Sequence, residues 1–95
     1  MIIVAGQIRV AARDRERFLT RSREAMQLAR STRGCLDFVV AADPLDAERV
    51  NVYERWSDRA SLHAFRRGGP DDELRAMIRS IGVDEYDVTS PARKS

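Results

Sequence analysis

The sequence predicts an α+β fold: a four-stranded antiparallel sheet with helices on one face, in the order β-α-β-β-α-β. Three observations predict it. Strand-type and helix-type hydrophobic periods alternate in that order along the chain. The chain divides into two halves of similar length, each reading strand, helix, strand. The two middle strands are joined by a link so short that an antiparallel pair is expected. At 95 residues the chain buries a modest fraction of its surface, so association with a second copy is a natural way to gain core.

Residues 2–10 are β-branched and apolar with Gln7 and Arg9 alternating in, the pattern of a partly buried strand. Ile2, Val4, Gly6, Ile8 and Val10 share one face, and Ile3, Ala5, Gln7 and Arg9 the other. Residues 14–31 read as a helix, with Phe18, Leu19, Ser22, Ala25, Met26 and Ala29 on one stripe and Arg17, Arg21 and Glu24 elsewhere. Asp14 suits its N-terminus. Gly34 suits its stop, because a left-handed residue there strains any side chain with a Cβ.

Residues 35–42 form a second strand, Asp43-Pro44-Leu45-Asp46 is turn chemistry, and residues 48–56 form a third strand. Ser57 offers an N-cap for a short helix running to about Arg67, with Leu62 and Phe65 inward. Gly68-Gly69-Pro70 breaks that helix, and Pro70 fits the first position of the next. Asp71, Asp72 and Glu73 follow in its first turn, where negative charge suits the helix dipole. Leu74, Met77, Ile78 and Ile81 then recur at i, i+3, i+4 and i+7, which predicts a helix through Ile81. Residues 83–88 make the last strand. Residues 1–90 are thus expected to form a single ferredoxin-like domain, with 91–95 as a flexible polar tail. Nothing in the chain covers the far face of the sheet. A second copy related by a two-fold axis is the simplest cover, so a homodimer is expected.

Composition narrows the function. Of 17 basic residues, 16 are Arg, and they are interspersed with 15 acidic residues for a net charge of +2. A nucleic-acid face needs clustered basic charge, and the densest stretch, Arg13 to Arg23, is interrupted by Asp14 and Glu16. No nucleic-acid partner is expected. No stretch approaches a membrane span and no basic leader precedes the first strand, so the expected setting is the cytoplasm, without membrane association. One cysteine, Cys35, and one histidine, His63, argue against a disulfide framework and against a Cys/His zinc site. No metal is expected.

The sequence resembles a known family. Thr32-Arg33-Gly34-Cys35-Leu36-Asp37-Phe38 is similar to the Gly-Cys-x-x-[Tyr/Phe] turn and strand of the antibiotic biosynthesis monooxygenases. Asp43-Pro44 resembles the family's following turn. Tyr53-Glu54-Arg55-Trp56-Ser57-Asp58 resembles its Tyr-Glu-x-Trp-x-[Ser/Asp] motif at the end of the third strand. The resemblance runs over residues 2–90 and implies a dimeric α+β barrel, in which two sheets pack face to face. It further implies cofactor-free oxidation of an aromatic substrate (a phenol, anthrone or hydroquinone) by dioxygen to a quinone. Haem-degrading relatives carry a first-strand Asn and a helical His. Here Gln7 stands at the first position and the third helix has no His, which argues against haem. Many relatives also carry a His nine residues after the Trp, where this chain has Phe65. The single His63 lies two residues earlier, about 200° around a helix. The runner-up reading is a small-ligand-binding or stress-associated dimer without chemistry.

The candidate residues follow from what such chemistry needs: a flat apolar wall, a hydrogen-bond donor and a base. Trp56 is either the wall, with its indole N–H as donor, or a core Trp. Gln7 is an amide in an apolar strand that contacts substrate, the backbone or a dimer seam. Phe65 and Tyr86 are assigned to the substrate-binding set, with a core or interface role as the competing reading for Tyr86. His63 is the default proton carrier, or a surface residue. Glu54 shares a strand face with Trp56, Val52 and Val50. It is either a base or the partner of an arginine such as Arg9 across the sheet. Tyr53 and Arg55 point the other way, toward a subunit interface. Cys35 fits packing better than catalysis.

Overall fold

The structure, a computed structural model, describes residues 1–69 and 71–89. The expectations for Pro70 and for residues 91–95 lie outside the described residues.

The observed order is β1 (Ile2–Val10), a 3-10 turn (Ala12–Asp14), α1 (Arg15–Arg30), β2 (Cys35–Ala42), β3 (Arg49–Trp56), α2 (Arg59–Arg66), α3 (Asp72–Met77) and β4 (Ile78–Asp87). The strands form one four-stranded antiparallel sheet, as expected, and lie in the order β2-β3-β1-β4. Ile2 stands opposite Trp56, Val4 opposite Glu54 and Gly6 opposite Val52. On its other side β1 pairs Gly6 with Val83 and Ile8 with Ile81. The inner face therefore carries Ile2, Val4, Val50, Val52, Glu54 and Trp56, and the helices cover it.

Two apolar clusters form beneath the helices. One gathers Ile2, Val4, Ala29, Phe38 and Leu62 around Trp56, and the other gathers Val10, Val50, Leu74 and Met77 around Phe18. Burying a large side chain of this kind stabilises by about 1.5–3 kcal/mol. α2 and α3 start on side-chain caps: Asp58 accepts from the Ser61 backbone N–H at 2.8 Å, and Asp71 accepts from that of Leu74 at 2.8 Å, whereas Asp14 precedes α1 without a capping side-chain bond. Ser57 is thus not the cap of α2. Its hydroxyl instead donates to Asp58, one residue nearer the helix. Gly34 has φ +93°, the left-handed turn expected of it, and a Cβ there would stand 2.3 Å from the Ser61 hydroxyl.

The third helix is shorter than its apolar spacing predicts. It ends at Met77, and β4 starts at Ile78 rather than at residue 83. A bulge explains the misleading spacing. The β1–β4 register shifts between Arg9 and Val10, so that Ser80 faces Arg9 but Ile78 faces Val10. The extra residue puts Ile78 and Ile81, three apart, on the same inner face, which imitates a helical repeat.

Among the described residues no helix is long and apolar enough to cross a membrane. No group of three His, Cys, Asp or Glu side chains among them is disposed to hold a metal ion.

Candidate active site

The helices do not cover the whole inner face. α1 and α2 pack over β2 and β3, and the β4 side stays open, with Ile81 59% exposed. A cleft of two adjoining lobes, about 560 and 360 Å³, opens between sheet and helices. That is the size class of small-molecule sites. Both lobes share Ala25, Phe38, Glu54, Arg66 and Leu74. The larger continues over Ile8, Val52 and Val83, the three neighbours of Gly6. Gly6 has no side chain to raise the floor there. Its φ is +153°, and a Cβ would stand 2.0 Å from the Gly82 carbonyl oxygen, so only glycine fits.

Glu54 is the polar group in this apolar floor. It is 9% exposed. Its Oε1 accepts a hydrogen bond from the Trp56 indole N–H at 2.9 Å. Oε2 is left open to the cleft that Glu54 lines. Burial pushes the Glu54 carboxyl above its ordinary range, opposed by the Trp56 hydrogen bond and by the charge of Arg66, with Glu85 adding to the rise. Arg66, in the last turn of α2, closes the rim by donating to Glu85 Oε2 on β4 at 2.6 Å. Glu85 Oε1 also lies 3.9 Å from Arg59 and 3.7 Å from His63.

The arrangement brings some of the sequence candidates together and separates others. Glu54 and Phe65 line the cleft. Trp56 is fully buried beside it, with its ring 5.4 Å from that of Phe65, and its one donor is committed to Glu54. It holds the carboxylate rather than forming an exposed wall. His63 is an exposed residue at the rim beside Glu85. Gln7 and Tyr86 lie on the outer face, across the sheet from the cleft, and Gln7 Oε1 is buried without a hydrogen-bond partner. The expected pairing of Glu54 with Arg9 is overturned: Arg9 points to the outer face and binds Asp46 at 2.8 Å. Strand alternation separates them. Cys35 is half-buried at the start of β2, its thiol pushed up by burial. Arg66 and Glu85, which complete the rim, were not singled out by sequence reasoning. They meet across 19 residues of chain with no local pattern to mark them.

The fold is shared with proteins of one family. The family model described as antibiotic biosynthesis monooxygenase matches residues 1–79. Among solved structures, one from Deinococcus radiodurans, described as a candidate antibiotic biosynthesis monooxygenase, superposes with a TM-score of 0.87 at 17% identity, covering 100% of this chain and 99% of that one. One from Chloroflexus aurantiacus with the same description gives 0.78 at 23% identity, covering 97% and 96%. A conserved protein from Methanosarcina mazei gives 0.78 at 20% identity, covering 90% and 89%. At these identities the likeness is one of fold. No curated protein matches. With the family model spanning most of its length, the chain belongs to the antibiotic biosynthesis monooxygenase family.

Proposed function

We propose that the protein is a cofactor-independent monooxygenase that uses dioxygen to oxidise a phenol-like aromatic substrate to a quinone. The observation that carries this reading is Glu54: a desolvated carboxylate held by Trp56 at the floor of an apolar cleft. A phenol is a weak acid, and a carboxylate with raised basicity is better matched to its proton than an ordinary one. A flat ring fits against Phe38, Phe65 and Val52, and its contact with these apolar walls displaces water from the reacting carbon.

The steps balance without a further reductant. Glu54 takes the phenol proton. The phenolate passes an electron to dioxygen, and the two radicals combine to form a carbon–oxygen bond at the ring. Glu54 returns its proton to the distal peroxide oxygen. Loss of the proton on that ring carbon breaks the O–O bond, leaves a carbonyl and releases water. Phenol and dioxygen become quinone and water.

The active form is proposed to be a homodimer joined through the outer face. Ile3, Ala5, Tyr53 and Tyr86 lie there without cover, and Gln7 Oε1 and Arg55 Nε are buried without partners. Orphaned polar atoms of this kind call for complementary groups from another surface.

The test is oxygen uptake with a panel of anthrones and hydroquinones. Wild type consumes oxygen faster than buffer, and Glu54→Gln loses about 100-fold or more, the usual scale of a missing general base. Glutamine keeps an acceptor for Trp56, so the variant folds. Uptake no faster than buffer across the panel, or a Glu54→Gln variant as fast as wild type, overturns the reading. Retained ligand binding without uptake points to a non-catalytic binding protein.

A further inference from the structure

We propose that Arg66 is the residue that recognises the substrate as its phenolate, and that Glu85 holds Arg66 in reserve until a phenolate replaces it. This role rests on the oxygenase reading of the same cleft.

Arg66 lines both lobes of the cleft, on the rim near Glu54. Without ligand its Nη1 donates to Glu85 Oε2 at 2.6 Å. Arg21 lines the smaller lobe only; its Nη2 is committed to Asp71 and Glu73 at 3.1 and 3.0 Å, while its Nε is buried without a partner. Arg66 is the cation of the lining that spans both lobes.

Glu85 is a partner suited to letting go. It has two further basic neighbours besides Arg66: Arg59 at 3.9 Å and His63 at 3.7 Å. When Arg66 swings to another anion, Glu85 keeps the company of these two. The exchange therefore leaves no carboxylate stranded, which is the usual obstacle to breaking an ion pair at a partly buried site. The rim is solvated, so the pair itself is of modest strength.

A phenolate is the anion that fits. Its ring matches the apolar walls, and its single oxygen carries the charge at one edge, within reach of a guanidinium at the rim. Proton transfer to Glu54 discharges the carboxylate as it charges the substrate. Arg66 then meets the phenolate with no competing charge from Glu54, and exchanges Glu85 for it. An arginine donating charge-assisted hydrogen bonds favours the ionised ligand over the neutral one by about tenfold or more.

The experiment uses 4-nitrophenol, which ionises near neutrality and whose phenolate absorbs separately from the phenol. Its ionisation is followed by absorbance, free and bound, across pH. In wild type the bound ligand ionises about one pH unit below the free ligand, the equivalent of tenfold preference. Arg66→Gln abolishes the shift and Arg66→Lys restores part of it. Glu85→Gln enlarges it by freeing Arg66. Arg13→Gln, which removes the same charge from the exposed turn after β1, leaves it as in wild type. The idea is overturned by bound ligand ionising where free ligand does, by an Arg66→Gln shift equal to wild type, or by no spectral change at millimolar ligand. An ionisation shift without any oxygen uptake supports Arg66 as the phenolate site while removing the oxygenase reading.

Discussion

On the inner face of the sheet, Val4, Val50 and Trp56 are sealed beneath the helices, while Ile3, Ala5 and Tyr53 on the outer face of the same strands are not. The two sets alternate along the same strands and are similar in apolar character. What differs is cover. The inner face has helices over most of its area and opens into a cleft between them and the sheet. Among the described residues the outer face has none, and it holds buried Gln7 and Arg55 atoms with no partner. One face is finished by the chain itself, and its remaining gap has the size of a ligand. The other is the face through which we propose that two copies join.

The sharpest way to break the inner face is at Gly6. A valine there must adopt φ +153° and drive its Cβ into the Gly82 carbonyl. Backbone strain and overpacking of this kind cost about 3 kcal/mol together. Gly6→Val is expected to lower the melting temperature by more than 10 °C, on a scale of about 4–8 °C per kcal/mol for a domain of this size. A melting temperature within a few degrees of wild type contradicts the close approach of β1 and β4. The outer face contributes nothing to this clash, so the variant separates the two faces.

The outer face is broken by charge. Tyr53 is 37% exposed on that face, and Tyr53→Asp places an unpaired carboxylate where the proposed dimer seam forms. Loss of a central aromatic costs about 2 kcal/mol of association, roughly thirtyfold in affinity. Sedimentation is expected to show a wild-type dimer at micromolar concentration and a dissociating variant with an unchanged circular dichroism spectrum. A wild-type protein that sediments as a lone protomer removes the seam. A Tyr53→Asp variant that stays dimeric moves it elsewhere.

Much of this contrast is legible in the residues. Period-two alternation in β1 and β3 assigns each side chain to a face, and it pairs Glu54 with Trp56 because they are two apart. The same alternation separates Gln7 from Trp56: the register sets Gln7 beside Asn51 and Trp56 beside Ile2. The two therefore lie on opposite faces of the sheet. Turns were legible too, since Gly34 and Asp43-Pro44 carry their conformations in their own chemistry. The bulge at Arg79 was not. It depends on how β4 meets β1, and the local spacing of Leu74, Met77, Ile78 and Ile81 imitates a helix so well that pairing alone corrects it. Arg66 and Glu85 were hidden for a related reason. Each is one charge among many, and only the docking of α2 beside β4 brings them together at the cleft.

The smallest expected effect sharpens the difference between the cleft floor and the exposed turns. Desolvation raises the Glu54 carboxyl above its ordinary range, while Asp71 at the start of α3 is lowered, chiefly by the backbone N–H of Leu74. Their linkage to stability has opposite sign. Well below the ordinary carboxylate range, about pH 4.3 for glutamate, Glu54 is neutral both folded and unfolded, and its burial carries no charge penalty. As pH rises through that range the unfolded chain releases the proton while the folded chain still holds it. Stability attributable to Glu54 therefore falls until pH passes the raised value, and the penalty is constant above it. Asp71 does the reverse, contributing above the ordinary aspartate range and losing its contribution as pH falls through its lowered value. Glu54→Gln removes the first effect alone. Urea unfolding across pH is expected to show the variant gaining on wild type as pH rises from acid toward neutral, then holding a constant lead. A difference that stays flat with pH, or shrinks toward neutral, means that Glu54 is as well solvated in the fold as outside it. The cleft floor would then be an ordinary polar surface, and its carboxylate no better a base than any on the exterior.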